Sequence, residues 1–306
     1  MLALVARRLM TAIPTLLGII LASFFLMRMA PGGPFDGERP LAPETRAALE
    51  SAYGLDKPIW EQAWIYVSRL AQGDFGPSLV YRDFTVTELV AQGLPISLML
   101  GGLAIMLALL IGISAGLFAA VRAGRPADKT IMVCATIATA LPTFVTGPAL
   151  ALFFGLWLGL LPVSGTGGGF VWLIMPVVAL ALPVSGAITK LTRAGLASVL
   201  KQDHIRTARA RGLPETRILL KHGLRPALVP VASYLGPAAA GLLTGAVVVE
   251  TVFGLPGLGR YFVQGALNRD YPLVLGVVTL YAGLIILFNL FADLVYGWLD
   301  PRMREE

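Results

Sequence analysis

The side chains that invite a chemical test first are His204 and His222, the single Cys134, and a run of arginines between Lys190 and Arg225. A metal site needs three or four ligands. Two histidines with no third partner in the pattern do not supply them. One cysteine excludes an internal disulfide framework and a cysteine-based zinc site. The Walker pattern GxxxxGK[ST] is absent, so the chain has no cradle of its own for ATP phosphates. GLPGLG at 254–259 is glycine-rich. It follows no strand–helix unit and its spacing fails the dinucleotide fingerprint, so it reads as a tight turn. Serines and aspartates are scattered without a nucleophile–base grouping, and we expect no catalytic residues and no enzyme activity. Only Glu250 and Asp293 come near the apolar stretches, each at an end. Ion-coupled carriers place a carboxylate or histidine at membrane depth. A transporter built from this chain would therefore draw its energy from another subunit. Sodium sites made of carbonyls and hydroxyls keep an autonomous secondary carrier open as a rival.

The arginine run reads KLTRAGLASVLKQDHIRTARARGLPETRILLKHGLR, residues 190–225. Asp203 is suited to cap a helix N-terminus. His204 to Arg211 then makes about two turns at 3.6 residues each, and Gly212 stands at the stop position. Leu213-Pro214-Glu215 restarts a helix, with proline at its start and an acid in its first turn. Ala208 and Gly212 are spaced to share one face, where small residues admit a close neighbour. Arg206, Arg209 and Arg211 flank that face and suit acidic groups on a partner. An ordinary cation-rich loop beside a membrane has the same composition, so residues alone leave both readings open.

The elements that carry this run are apolar. The sequence is 56% hydrophobic and 14% charged, against roughly 25% charged in soluble domains. Residues 9–27 follow Arg7-Arg8 and hold no charge; their leucines, isoleucines and phenylalanines favour insertion by about 3 to 6 kcal/mol. The stretch is longer than a signal-peptide core and reads as an uncleaved first span, residues 1–28. Residues 29–95 form a large polar loop with short helices at 42–53 and 58–71. Its aromatics Trp60, Trp64 and Tyr66 suit a membrane interface. Ile96–Val121 is the second span. Thr130–Thr189 runs without a charge, long enough for two crossings at 131–159 and 171–189. The fifth span is expected at 226–249 and the sixth at 272–292, giving an all-α membrane core over 96–306 with the 190–225 loop inside it. Glu250 to Tyr271 is expected to leave the membrane. Sixteen of the 24 lysines and arginines fall on the side holding both termini, which places the termini in the cytoplasm. That asymmetry accounts for the net charge of +6 without nucleic acid.

RTARARGL at 206–213 with RPALVP at 225–230 resembles the EAA-type loop of ATP-binding-cassette importer permeases. The usual Glu-Ala-Ala opening is replaced here by Arg206-Thr207-Ala208, while the alanine and glycine keep their places. APGGPFDGERPL at 30–41, GDFGPS at 73–78, GPAAAGLLTGAVVVETVFGLPGLG at 236–259 and GALNRDYPLVL at 265–275 are similar to the peptide branch of that family, and to its B-type oligopeptide subunit. The resemblance implies six transmembrane helices with both termini cytoplasmic, in a cell-membrane permease. It implies a second permease subunit, two ATPase subunits that bind ATP and magnesium, and an extracytoplasmic peptide-binding protein. It makes Asp203, Arg206, Thr207, Ala208, Arg209, Ala210, Arg211, Gly212 and Leu213 the residues that touch the ATPase. Permeases for dipeptides, glutathione or nickel are close relatives within that branch. No substrate pocket is assignable. Tyr234, Thr244, Tyr281 and Asn289 are polar candidates for the path, with helix–helix hydrogen bonding as the competing reading.

Overall fold

The computed structural model describes residues 2–29, 42–81, 83–165 and 169–299; residues 30–41 and the charged tail lie outside them. The described chain is helical: α1 (Leu2–Met29), α2 (Pro43–Ala52), α3 (Ile59–Leu70), α4 (Val86–Val121), α5 (Pro126–Ala140), α6 (Thr143–Leu150), α7 (Ile174–Val199), α8 (Asp203–Ala210), α9 (Glu215–Arg217), α10 (Leu224–Ala227), α11 (Val229–Val252), α12 (Leu258–Leu267) and α13 (Tyr271–Leu299). Five helical stretches are long and apolar enough to cross a bilayer: Arg7–Met29, Val86–Val121, Gly169–Val199, Val229–Val252 and Tyr271–Gly297.

The stretch expected to make the third crossing takes a form the sequence did not suggest, that of a broken span or a re-entrant loop. The single span expected at 131–159 is two helical pieces, Pro126–Ala140 and Thr143–Trp157, bent by 101°. Pro142 is the cause. It holds φ −67° and ψ 148°, and Leu141 before it is extended, because the proline ring clashes with a helical predecessor.

Other boundaries move for equally local reasons. α4 starts at Val86, well before Ile96. Thr85 and Glu88 form a capping box: the Thr85 N–H donates to Glu88 Oε2 at 2.8 Å, and the Glu88 N–H donates to Thr85 Oγ1 at 3.2 Å. The T-x-x-E signature was present in the sequence. α7 continues past Thr189 to Val199 because Thr192, Leu196 and Val199 extend its buried face. Lys190 and Arg193 thus belong to α7 and not to a loop. Glu250 does not leave with the chain either: it lies within α11 and is fully buried.

The chain divides into two compact units. One comprises Met1–Arg8, Leu98–Leu255 and Ile285–Glu306; the other comprises Leu9–Ser97 and Pro256–Leu284. In the first, α7 is the buried centre. Gly112 and Gly116 of α4 lie against it so closely that an added Cβ would stand 2.6 Å from Ile188 Cγ2 or from Thr192 Cβ. This is the small-xxx-small contact by which membrane helices approach each other without a hydrophobic driving force.

The second unit is pinned by a buried carboxylate. Asp270 heads α13, taking the Leu273 N–H at 3.2 Å on Oδ1. Its Oδ2 accepts the Ser78 hydroxyl and, at 3.2 Å, the Val80 N–H. One fully buried side chain thereby fixes the 74–81 segment to the start of a span. Around it pack Val86, Leu89 and Val90 with Leu258, Leu273 and Val277. α2 and α3 fall where helices were expected, and α3 packs Ala63, Ile59 and Tyr66 with Phe24 and Phe25 of α1.

Candidate functional site

The predicted coupling residues fold as one piece. α7 ends at Val199, the backbone turns through Leu200–Gln202, and α8 runs Asp203–Ala210. The capping residue is Gln202, extended at ψ 153° with no side-chain cap bond. Asp203 is instead the first helical residue. Its own carbonyl accepts the Thr207 hydroxyl at 3.0 Å, and its Oδ1 is 3.4 Å from Arg206. An acid in the first turn still favours the helix dipole, so sequence and structure agree on the helix and differ on its cap.

The C-terminal stop is as expected. Gly212 sits at φ +73°, a region that non-glycine residues enter at a cost. The Leu213 N–H reaches the Ala208 carbonyl at 3.3 Å and the Gly212 N–H reaches Arg209 at 2.9 Å. These are the paired bonds of a Schellman ending. Glycine 254 ends α11 in the same way, at φ +63° with Leu255 donating to Glu250 at 2.8 Å, so GLPGLG is a helix stop and turn.

α8 is amphipathic, and its inward face was misjudged from sequence. Ile205 is 0% exposed and Ala208 8% exposed. Both pack in a cluster with Ala120, Leu196, Val199, Ile218 and Ala227, which Leu213 borders. Ala208 therefore faces its own chain and offers little to a neighbour, whereas Gly212, four residues on, is exposed. The surface left for a partner is Arg206, Thr207, Arg209, Ala210 and Arg211, all exposed. Ile205 is the anchor that sequence reasoning passed over. Its spacing of three from Ala208 was the available signal. Burying such a side chain contributes roughly 1.5–3 kcal/mol.

Two ion pairs shape the surroundings. Arg209 makes a forked contact with Glu215, at 2.6 and 3.3 Å. The hydrogen bond holds the Glu215 carboxyl below its usual range and the Arg209 guanidinium above its own. This clasp spans the Gly212 turn and ties α8 to α9. Higher on α7, Arg193 grips Asp128 of α5 at 3.1 and 2.7 Å, and the Gly124 N–H adds a third bond to that carboxylate at 2.8 Å. Lys190 donates to Thr139 Oγ1 at 2.8 Å. α7 is thus fastened to α5 just above the turn that carries α8. Gly195 lets the base of α7 meet the chain before α11: an added Cβ would lie 2.6 Å from the Ala227 carbonyl oxygen.

The remaining candidates disperse. His204 is exposed and His222 half-buried on the same loop, and no three potential metal ligands cluster among the described residues. Thr244 bonds its own helix at Ala240, 3.0 Å away. Asn289 lies against Gly236 and leaves no room there for a Cβ. Asp293 of α13 is bound by Arg8 of α1 at 2.9 Å.

A family model described as "Binding-protein-dependent transport system inner membrane component" matches residues 112–305. The oligopeptide transport system permease protein OppB of Salmonella typhimurium is 48% identical over 305 residues, covering 99% of this chain and 100% of that protein. OppB of Haemophilus influenzae is 45% identical with the same coverage. The dipeptide transport system permease protein DppB of Lactococcus lactis subsp. cremoris is 37% identical over 300 residues, covering 98% of each. Among solved structures, an inward-facing MetNI methionine ABC transporter superposes with a TM-score of 0.57 at 18% identity, over 69% of this chain and 96% of that one. The last likeness is one of fold.

Proposed function

The chain belongs to the family of binding-protein-dependent transport system inner membrane components, and on that premise we propose that it is the membrane subunit of an ATP-driven oligopeptide importer. It forms half of the translocation path beside a second, related permease in the inner membrane. Two ATPase subunits bind ATP and magnesium on the cytoplasmic side, and a peptide-binding protein delivers cargo outside. Both termini and α8 face the cytoplasm. The chain holds no cofactor of its own and catalyses no reaction. Full-length identity of 48% to an oligopeptide permease, against 37% to a dipeptide one, supports the longer cargo.

The observation that carries the coupling role is the way α8 is seated. Ile205 and Ala208 rest on Leu196 and Val199, the last turns of α7, while the arginines point away. A push on the arginine face is delivered through close-packed side chains, which transmit strain because they have little free volume. α7 moves as one continuous helix with α5 clamped to it by Arg193–Asp128. In this reading, closure of the ATPases displaces α8, tilts α7 and opens the cavity outward. Thr207, Ala210, Gly212 and Leu213 shape the contact; Arg206, Arg209 and Arg211 meet acidic or polar groups of the ATPase.

The experiment is to purify the intact complex and crosslink from α8. Position 206 is exposed where 208 is not, so Arg206→Cys in a Cys134→Ser background is the probe. Crosslinking to an ATPase subunit whose yield changes with ATP, together with tripeptide uptake outcompeting dipeptide uptake, is the expected result. Labelling of the cysteine by an impermeant maleimide added outside intact cells would sink the assignment.

A further inference from the structure

The second unit contains a cavity of about 600 Å³ formed by the end of α1, the α2–α3 connection, α3, the 74–79 segment and the start of α13. We propose that it is a binding site for the phosphate headgroup of an anionic phospholipid, with Arg28 as the anion ligand. The proposal is independent of the transport reading and needs only that α1 crosses the membrane.

Depth is the first part of the case. At about 1.5 Å per residue, the 23 residues Arg7–Met29 slightly exceed the roughly 30 Å hydrocarbon core. The last turn of α1 therefore lies at the level of the headgroups. Leu26 and Met29, 69% and 79% exposed, mark the side of that turn that meets lipid. The ring of Trp60 on α3 stands 5.2 Å from Phe25 of α1. Trp60 and Trp64 are both exposed and, four residues apart on one helix, share a face. Exposed tryptophans beside the end of a span are typical of a bilayer interface.

Charge is the second part. Arg28 is partly buried, yet it makes no ion pair with any described carboxylate. Its guanidinium lies 5.5 Å from the Phe24 ring centre and 5.8 Å from that of Tyr271. Rings satisfy a cation only partly. Arg69 also lines the cavity, again without an ion pair to a described carboxylate. The third cation there, Lys57, is occupied by Glu61 at 2.7 Å. The one carboxylate among the described residues of the wall, Asp74, accepts the Gly76 N–H at 2.8 Å. Among the described residues the wall therefore carries an excess of positive charge. Guanidinium is the side chain that takes a phosphate with two parallel bonds. The hydroxyl of Ser51 in the same wall suits the polar remainder of a headgroup, and Phe75 and Leu275 suit its glycerol and first methylenes.

The test uses the intact complex, delipidated in detergent and exchanged into nanodiscs of phosphatidylcholine and phosphatidylglycerol in equal parts. The readout is the ratio of the two lipids retained by the complex in native mass spectrometry. The wild type is expected to favour phosphatidylglycerol. Arg28→Gln should reduce that preference several-fold, and Arg28→Lys should restore part of it. Arg46→Gln, an exposed cation of α2 outside the cavity, should leave it unchanged. Leu55→Trp fills the cavity without removing a charge and should act like Arg28→Gln, which keeps the proposal testable if the charge variant assembles poorly. An unaltered lipid ratio in both Arg28→Gln and Leu55→Trp would overturn the site. So would displacement of the retained phosphatidylglycerol by a free tripeptide or by inorganic phosphate, which would make Arg28 a site for soluble anions. Peptide uptake is not the readout, so a failure here leaves the importer assignment untouched.

Discussion

Two polar segments emerge from the helices of this protein, and they are held in opposite ways. The 200–225 segment is seated by apolar contact: Ile205 and Ala208 are inside, and nearly every charged group is outside. The 71–85 segment is seated by directional bonds: Asp270 is inside, and its oxygens take a hydroxyl and backbone N–H groups from three positions. An apolar seat tolerates changes of surface charge and passes on mechanical load. A hydrogen-bonded seat fixes geometry, and it loses much when one acceptor goes, because buried donors are left orphaned. The difference teaches that the first segment keeps its charges on the surface, while the second is held by a charge from elsewhere in the chain, Asp270.

The sharpest way to break this contrast is Asp270→Ala. It orphans the Ser78 hydroxyl and the Leu273 N–H, at about 1–3 kcal/mol per buried group, while the Val80 N–H keeps Ser78 Oγ at 3.3 Å. We expect a large fall in the thermal midpoint of the purified complex and little folded protein in the membrane. Near wild-type stability would mean that the bonds are dispensable. Next is Ile205→Ala. Emptying its site should cost about 2–4 kcal/mol, confined to the 203–213 segment. Hydrogen exchange should show that segment opening while the rest of α7 stays protected. Smaller again is Gly212→Ala, at about 1 kcal/mol for the left-handed turn. Its expected signature is fraying at 210–213 in the same exchange experiment.

The smallest effect is on the surface clasp. The Glu215 carboxyl is held below its ordinary value by Arg209. Whatever order the clasp adds is thus present above the ordinary glutamate range and lost as pH falls through the lowered value. With exchange corrected for the intrinsic slowing of amide exchange at lower pH, protection at 213–217 should fall on acidification in the wild type. In Glu215→Gln that protection should already be low at neutral pH and show no such transition. An identical pH response in both proteins would remove the clasp from the account.

Most of the architecture was legible because membrane helices announce themselves by uninterrupted apolar length. α2, α3, the stop at Gly212 and the turn at 254–259 were legible through local signals that act within a few residues. The site was legible as a basic helix, and only in part as a surface. Composition gives Ala208 and Gly212 one face but cannot say whether that face meets the same chain or another. The break at Pro142 was written in the sequence and outweighed by the lack of charge around it. The burial of Glu250 inside α11 was hidden for the opposite reason: a carboxylate near the end of an apolar run normally marks the exit from the membrane.

By itself the sequence determined that this chain lives in a bilayer, that it contains no Walker motif, and that a short basic helix ends at Gly212. Hydrophobic length, missing motifs and backbone stereochemistry are properties of neighbouring residues. Tertiary structure alone decided that Ile205 seats that helix, that Asp128 and Arg193 fasten α5 to α7, and that Arg28 stands between the rings of Phe24 and Tyr271. Each of these joins residues far apart in the chain, and which distant side chains meet is settled by the packing of whole helices, a quantity no local window contains.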